Sequence, residues 1–278
     1  MEWWQAILLG IVEGVTEFLP ISSTGHLTLV EKLLGFSIAD PSVTAFTAII
    51  QVGAMVASII YFWSDIVRFA TAWFAGLFHA ERRSDPDYKM GWAIIAGFAI
   101  TAVLALALKD LVEGPLRSLW AVVFGLLGWS IVMFIADRLA KSTRGEGSIT
   151  VKDGAILGIV QAVALIPGVS RSGATISGGL LLGIDRVSAT RMSFFLGIPT
   201  LIASGVFEAA SQFHNIAGGA GWVATGLGTL VSGVVAYVSI AWLLKFVAHN
   251  DFTAFIVYRV VLAAVIAVLL LTGTIAAV

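Results

Sequence analysis

Residues 9–26 read LGIVEGVTEFLPISSTGH, and residues 157–174 read LGIVQAVALIPGVSRSGA. Laid over one another at a constant offset of 148 positions, the two stretches share Leu-Gly-Ile-Val, then match Val15 with Val163, Ser22 with Ser170 and Gly25 with Gly173, with Glu13 opposite Gln161. Self-similarity at a fixed offset marks an internal repeat. Each copy is apolar enough for a membrane yet is broken near its middle, at Pro20-Ile21-Ser22-Ser23-Thr24-Gly25 and at Pro167-Gly168-Val169-Ser170-Arg171-Ser172-Gly173. An arm on either side of a break is too short to cross about 30 Å of hydrocarbon. Residues 3–36 and 153–184 therefore read as re-entrant hairpins. Broken backbone survives at membrane depth only where protein or a water-filled cavity satisfies its polar groups.

Outside the hairpins, six stretches read as full spans, at about residues 42–63, 90–109, 117–137, 187–209, 221–245 and 254–275. The expected fold is an all-α polytopic membrane protein of about ten helices, a single membrane domain over residues 1–278. Repeat 1 covers about residues 1–140 and repeat 2 about residues 150–278, each one hairpin followed by three spans. A hairpin returns to its own side and three is odd, so the second copy must be inverted. Inverted repeats put their site near the midplane, where the broken helices meet.

Composition agrees: 59% of the 278 residues are hydrophobic and 12% charged, where a soluble domain carries roughly a quarter. The 29 glycines suit close helix packing. With no cysteine, disulfides, thiolate metal sites and cysteine nucleophiles are excluded. A net charge of −1 gives no reason to expect a nucleic-acid partner, and a homo-oligomer is compatible with the sequence. Ten Lys/Arg (Arg68, Arg82, Arg83, Lys89, Arg138, Lys141, Arg144, Lys152, Arg186, Lys245) fall in or beside the loops on one side, against Lys32, Lys109 and Arg117 opposite. The positive-inside rule makes the rich side cytoplasmic, with both termini and the base of the first hairpin outside. Met1-Glu2-Trp3-Trp4 lacks the basic start of a removable signal, and its tryptophans read as interfacial anchors. Residues 64–89 alternate apolar and charged side chains, as in a segment lying along the interface.

Ionisable groups in membrane segments are costly, about 3 kcal/mol each on insertion scales, and demand a reason. Glu13 and Glu17 share a helix face one turn before the first break, beside Ser22, Ser23, Thr24, Gly25 and His26. Two carboxylates on one face need a cation, a proton or an arginine between them. The matching place in the second hairpin offers Ser170, Arg171, Ser172, Gly173 and Thr175. Ser22 and Ser170 read as N-caps, so free NH groups and two helix-dipole ends face a shared cavity suited to an anion. Phosphate fits best, because a guanidinium grips two oxygens at once. Hydrolysis would further need attack by Ser23 or by water, proton movement by His26, and Glu13 and Glu17 either holding a divalent cation or acting as base. Blander readings stand beside these: hydroxyls at Ser22, Thr24 and Ser172 that bond back to the helix, a structural ion pair between the acids and Arg171, and Gln51 bonding a neighbouring helix instead of facing the cavity. Arg191 and Arg259 read as snorkelling side chains near helix ends.

At these residues the sequence resembles the undecaprenyl-diphosphatase, or bacitracin-resistance, family. The carrying motifs are Glu13-Gly14-Val15-Thr16-Glu17, Ser22-Ser23-Thr24-Gly25-His26 and Pro167-Gly168-Val169-Ser170-Arg171-Ser172-Gly173-Ala174-Thr175, and the similarity runs the whole length. The resemblance implies hydrolysis of undecaprenyl diphosphate to undecaprenyl phosphate and inorganic phosphate, recycling the lipid carrier of cell-wall synthesis. It also implies bacitracin resistance, a bacterial plasma membrane and a divalent cation, magnesium or calcium. By position it makes Glu13 and Glu17 the essential acidic pair, Ser23 the nucleophile, His26 the acid/base, and Arg171 with Ser170, Ser172 and Thr175 the diphosphate clamp. The rival reading is a transporter or flippase for a polyprenyl phosphate lipid, since inverted repeats with broken helices are a transporter architecture. A membrane scaffold explains none of the buried charges.

Overall fold

The structure is a computed structural model and describes residues 1–37, 40–114, 116, 118–218 and 221–277; Arg117 lies outside the described residues. The first hairpin is α1 (Trp3–Thr16) and α2 (Ser23–Leu33), followed by α3 (Pro41–Tyr61), α4 (Trp63–Phe78), α5 (Pro86–Ala107), the short α6 (Lys109–Glu113) and α7 (Leu119–Leu139). The second hairpin is α8 (Val151–Val163) and α9 (Arg171–Leu181), followed by α10 (Arg186–Gly218), α11 (Trp222–Val247) and α12 (Thr253–Leu271). No strand occurs among the described residues. The chain is an all-α polytopic membrane protein. Six helices are long and apolar enough to span, namely α3, α5, α7, residues Arg186–Phe207 of α10, α11 and α12. The helices beyond the ten read from sequence are α4, within the segment read as interfacial, and α6.

Local chemistry explains the boundaries. α1 starts in a capping box between Glu2 and Gln5, and α8 in one between Thr150 and Asp153, which satisfies amides the first turn leaves free. α3 and α5 open on Asp40-Pro41 and Asp85-Pro86, an aspartate cap followed by a proline at the first helical position. The four hairpin arms have 14, 11, 13 and 11 residues; at about 1.5 Å per residue the longest reaches only about 21 Å. Both second arms begin on a serine in the left-handed region, Ser22 and Ser170, each with φ of 74°.

Packing is exchanged between the halves. α1 lies against α11 and α8 against α5, while α3 meets α10 and α7 meets α12. One pair breaks the exchange: α9 packs closely on α10, whereas α2 stands off α3 across a cavity. An aromatic cluster holds the first tip, with Phe18 edge-on to Phe194 at 5.4 Å and Phe62 edge-on to Phe195 at 5.2 Å. Such pairs contribute about 0.5–1.5 kcal/mol each beyond their burial.

The two arginines read as snorkelling do not snorkel. Arg191 pairs with Asp65 at 2.8 Å and with Glu146, joining α10 to α4 and to the loop before α8. Arg259 is 0% exposed. Its guanidinium donates to the carbonyls of Pro20 at 3.1 Å and Gly168 at 2.9 Å, one at each hairpin tip, and to Ser130 Oγ at 3.1 Å. A cation this deep keeps its charge solvated by backbone oxygen, and in return satisfies carbonyls that the broken helices leave free.

Candidate active site

The two hairpin tips meet end to end. Ser172 Oγ of the second donates to the Leu19 carbonyl of the first at 3.0 Å. Arg171 Nη2 donates to Glu17 Oε1 at 3.0 Å, and Arg171 Nη1 to the Ser193 carbonyl at 3.3 Å. The other oxygen of Glu17 accepts from Ser23 Oγ at 2.7 Å. Hydroxyl, carboxylate and guanidinium thus form one chain across residues 154 positions apart. The left-handed turn at Ser22 makes this possible, since it starts α2 with Ser23 facing back at α1.

Behind that chain the remaining hydroxyls hold the junction. Ser22 Oγ caps α2 by accepting from Gly25 N at 3.3 Å, and Ser170 Oγ caps α9 by accepting from Gly173 N at 3.2 Å. Ser170 lies 3.1 Å from Ser172 Oγ, and Thr175 Oγ1 donates to Ser193 Oγ at 2.6 Å. Ser172 and Thr175 are 0% exposed. His26 lies alongside, its Nδ1 on the Ser22 carbonyl and its Nε2 on the Tyr258 hydroxyl, both at 2.7 Å.

In front of the chain is a cavity of about 410 Å³ between α2 and α3. Glu13, Ser23, Thr24, Thr28 and Glu31 line one wall, Thr44, Thr47 and Gln51 the other, and Pro167 of the second tip closes the inner end. Gln51 therefore faces the cavity. Glu31 Oε1 accepts from Thr47 Oγ1 across it at 3.3 Å. Two buried polar atoms of the site have no partner, Glu13 Oε1 and Arg171 Nε: one acceptor and one donor. Buried polar groups are nearly always paired, so an unpartnered acid oxygen and an unpartnered guanidinium NH within one junction leave it able to take a further group. The sequence's candidates are thereby brought together at one junction, with Glu13, Ser23 and Thr24 on the cavity and Glu17, His26, Arg171, Ser170, Ser172 and Thr175 behind its wall.

A divalent cation fits the donors in part. Among the described residues, no three His, Cys, Asp or Glu side chains gather around one point as a metal cage. Magnesium asks for less, binding through one or two carboxylates together with waters and substrate phosphates. Glu13, which lines the cavity and has an unpartnered buried oxygen, is the better suited of the two acids, whereas Glu17 has both oxygens engaged.

Residues 6–265 match the family described as Bacitracin resistance protein BacA. The chain belongs to this family. Proteins called undecaprenyl-diphosphatase are 55% identical to it in Cutibacterium acnes, over 100% of both chains, and 52% identical in Frankia casuarinae, over 98% of both. A third, undecaprenyl-diphosphatase 1 of Streptomyces avermitilis, is 48% identical over 97% of this chain and 96% of the relative.

In this BacA-family chain three residues of the site, Tyr258, Glu31 and Gly197, escaped the sequence reading, and a fourth, Arg259, reads from sequence as a snorkelling side chain. Tyr258-Arg259 is the sole charged or hydrogen-bonding pair within an otherwise apolar stretch of α12, and an arginine inside a span calls for a partner. Glu31 sits on the same helix as His26, in a segment rich enough in polar residues to hide it. Gly197 leaves no sequence signal at all. A Cβ there would overlap the Arg171 guanidinium, so the glycine makes the room in which Arg171 reaches Glu17.

Proposed function

We propose that this protein is a membrane phosphatase that hydrolyses undecaprenyl diphosphate to undecaprenyl phosphate and inorganic phosphate. The observation that carries the reading is the Ser23–Glu17–Arg171 chain beside the cavity, a hydroxyl donating to a carboxylate that an arginine holds. Full-length relatives named for the same activity support it. Ser23 Oγ attacks the terminal phosphorus while its proton passes to Glu17 Oε2, and the anhydride P–O bond breaks to release the polyprenyl phosphate. Water then cleaves the phosphoserine. Arg171 orients Glu17 and turns its free NH toward the phosphoryl oxygens. Ser22 with Gly25 and Ser170 with Gly173 cap the two helices whose dipole ends favour the anion, Ser172 and Thr175 hold the junction behind the cavity wall, and Thr24 lines the approach. A magnesium or calcium ion held through Glu13, with Glu17 close by, would neutralise charge on the diphosphate when bound.

The two halves are read as inverted repeats, supported by the exchanged packing of α1 on α11 and α8 on α5. The cavity's lining runs from the hairpin tips to the end of α2 and the start of α3, and the charge bias assigns that face to the outer side of a bacterial plasma membrane. The isoprenoid tail stays in lipid while the head group enters. Recycling of the carrier for cell-wall synthesis, and bacitracin resistance, follow from that activity. The test is phosphate release from undecaprenyl diphosphate by purified protein, with and without chelator. Glu17→Gln and Arg171→Ala are each expected to remove nearly all of it in protein that remains folded. Unchanged release by Ser23→Ala would assign the attack to water. Movement of a labelled polyprenyl phosphate across sealed vesicles without hydrolysis would replace the reading by that of a flippase.

A further inference from the structure

Both ring nitrogens of His26 have partners. A carbonyl can only accept, so Nδ1, 2.7 Å from the Ser22 oxygen, carries the hydrogen. In the neutral ring Nε2 must then accept, which makes Tyr258 the donor at 2.7 Å. The two rings lie parallel, 2° apart in plane, and the imidazole is 8% exposed. Ser23, Thr24 and Leu27 line the cavity, while His26 turns the other way, to α12.

The carbonyl that His26 grips belongs to Ser22, whose φ of 74° is one that side-chain-bearing residues rarely adopt; such backbone costs about 1–3 kcal/mol and persists where its surroundings enforce it. The next residue is Ser23. The second hairpin forms the same turn at Ser170, also with φ of 74°, and there Ala174 stands at the place of His26. The turn therefore needs no imidazole. The imidazole occurs on the copy that carries the Ser23–Glu17 hydrogen bond, and α12 of the other copy supplies its tyrosine.

We propose that Tyr258 is a positioning residue for the reaction: it fixes His26 in the Nδ1–H tautomer, His26 clamps the Ser22 carbonyl, and the clamp aims Ser23 Oγ at Glu17. His26 then acts through Ser22 and transfers no proton to or from the substrate. This deepens the phosphatase reading and rests on it.

The test uses the full chain with undecaprenyl diphosphate in detergent. Tyr258→Phe keeps the ring and removes one buried hydrogen bond, so kcat is expected to fall about tenfold with KM nearly unchanged. The amide of His26→Asn can donate from the place of Nδ1, and that of His26→Gln only from the place of Nε2. Asn is therefore expected to retain at least tenfold more turnover than Gln. Equal loss in the two, or a Tyr258→Phe enzyme with wild-type kcat, overturns the proposal. Ring 15N spectra of histidine-labelled protein without substrate give a second readout, the His26 signal being identified by its disappearance in His26→Asn. The expected pattern is neutral Nδ1–H, turning to a mixture of tautomers in Tyr258→Phe. A wild-type Nε2–H pattern overturns the proposal whether or not phosphate is released, whereas a wild type that releases no phosphate ends the phosphatase reading and leaves the tautomer to be judged by the spectrum.

Discussion

Replacing Gly197 by alanine tests the centre of the site without touching any reacting group. The new Cβ would lie 2.6 Å from Arg171 Cζ and closer still to Nη1, so the guanidinium must swing away. The obstacle is the far end of a flexible side chain, and α10 itself need not move. Lost are the bond to Glu17 at 3.0 Å and the weaker one to the Ser193 carbonyl at 3.3 Å. Taking about 2 kcal/mol for the first and about 1 kcal/mol for the second gives about 3 kcal/mol. At about 1.4 kcal/mol per decade that is roughly a hundredfold loss in kcat/KM. Stability suffers less, because alanine is worth about 1 kcal/mol more than glycine inside a helix. The net of about 2 kcal/mol corresponds to a fall of about 5 °C in unfolding midpoint for a chain of this size. The assay is phosphate release at 25 °C, paired with thermal unfolding in detergent. A double-mutant cycle with Arg171→Ala should show no further loss, since both changes remove the same contact. Wild-type kcat/KM in Gly197→Ala would refute the role given to the Arg171–Glu17 pair.

Arg259→Met leaves the Pro20 and Gly168 carbonyls buried without donors, at about 1–3 kcal/mol each. Thermal unfolding is expected to drop by roughly 10 °C, and an unchanged midpoint would show that the tips hold together without the pin. Asp153, at the mouth of the second hairpin, is pushed up by burial, but hydrogen bonds from Arg144 and Thr150 outweigh this and hold its carboxyl below the usual range. Its contribution is therefore fully present above the ordinary aspartate value, about 3.9, and is lost as pH falls through the lower folded value. Unfolding midpoints measured from neutral to acid pH should show the wild-type advantage over Asp153→Asn shrinking only below about pH 4.

The spans were legible because each is a run of apolar residues of bilayer length, and the hairpins because proline, serine and glycine interrupt an otherwise apolar stretch. Span starts came out late where polar residues open a helix. The segment Pro86-Asp87-Tyr88-Lys89 is helical because Asp85 caps it, yet hydropathy begins only at Met90. The charged residues at the tips stood out because charge in lipid is conspicuous. What could not be read is which way a side chain turns. Arg259 looks from its position like a cation reaching for the interface, but its partners are the Pro20 and Gly168 carbonyls, 239 and 91 positions away. The place of His26 beside Ser23 gives no sign of what its ring meets, and only the three-dimensional packing brings Tyr258 to its second nitrogen. Gly197 has no side chain to read.

The two copies differ where the cavity lies, and the difference has a residue behind it. At the repeat offset of 148, Glu31 of α2 stands where α9 has Gly179. A Cβ on Gly179 would come within 2.8 Å of Ala189 Cβ, so the glycine is what lets α9 press against α10. In the first copy a glutamate occupies that place, bonds Thr47 of α3 at 3.3 Å, and lines the gap. An acid with an aqueous cavity on one side is tolerable in the bilayer, and the cavity is open because a long polar side chain spans it. Shape and charge are separable here. Glu31→Gln keeps the length and the Thr47 hydrogen bond, whereas Glu31→Gly removes the strut and lets α2 settle toward α3 as α9 does on α10. Phosphate release should therefore fall further in Glu31→Gly than in Glu31→Gln, with the added loss in KM because the head group no longer fits. Equal losses would mean that the charge of Glu31, and not its reach, is what the cavity requires.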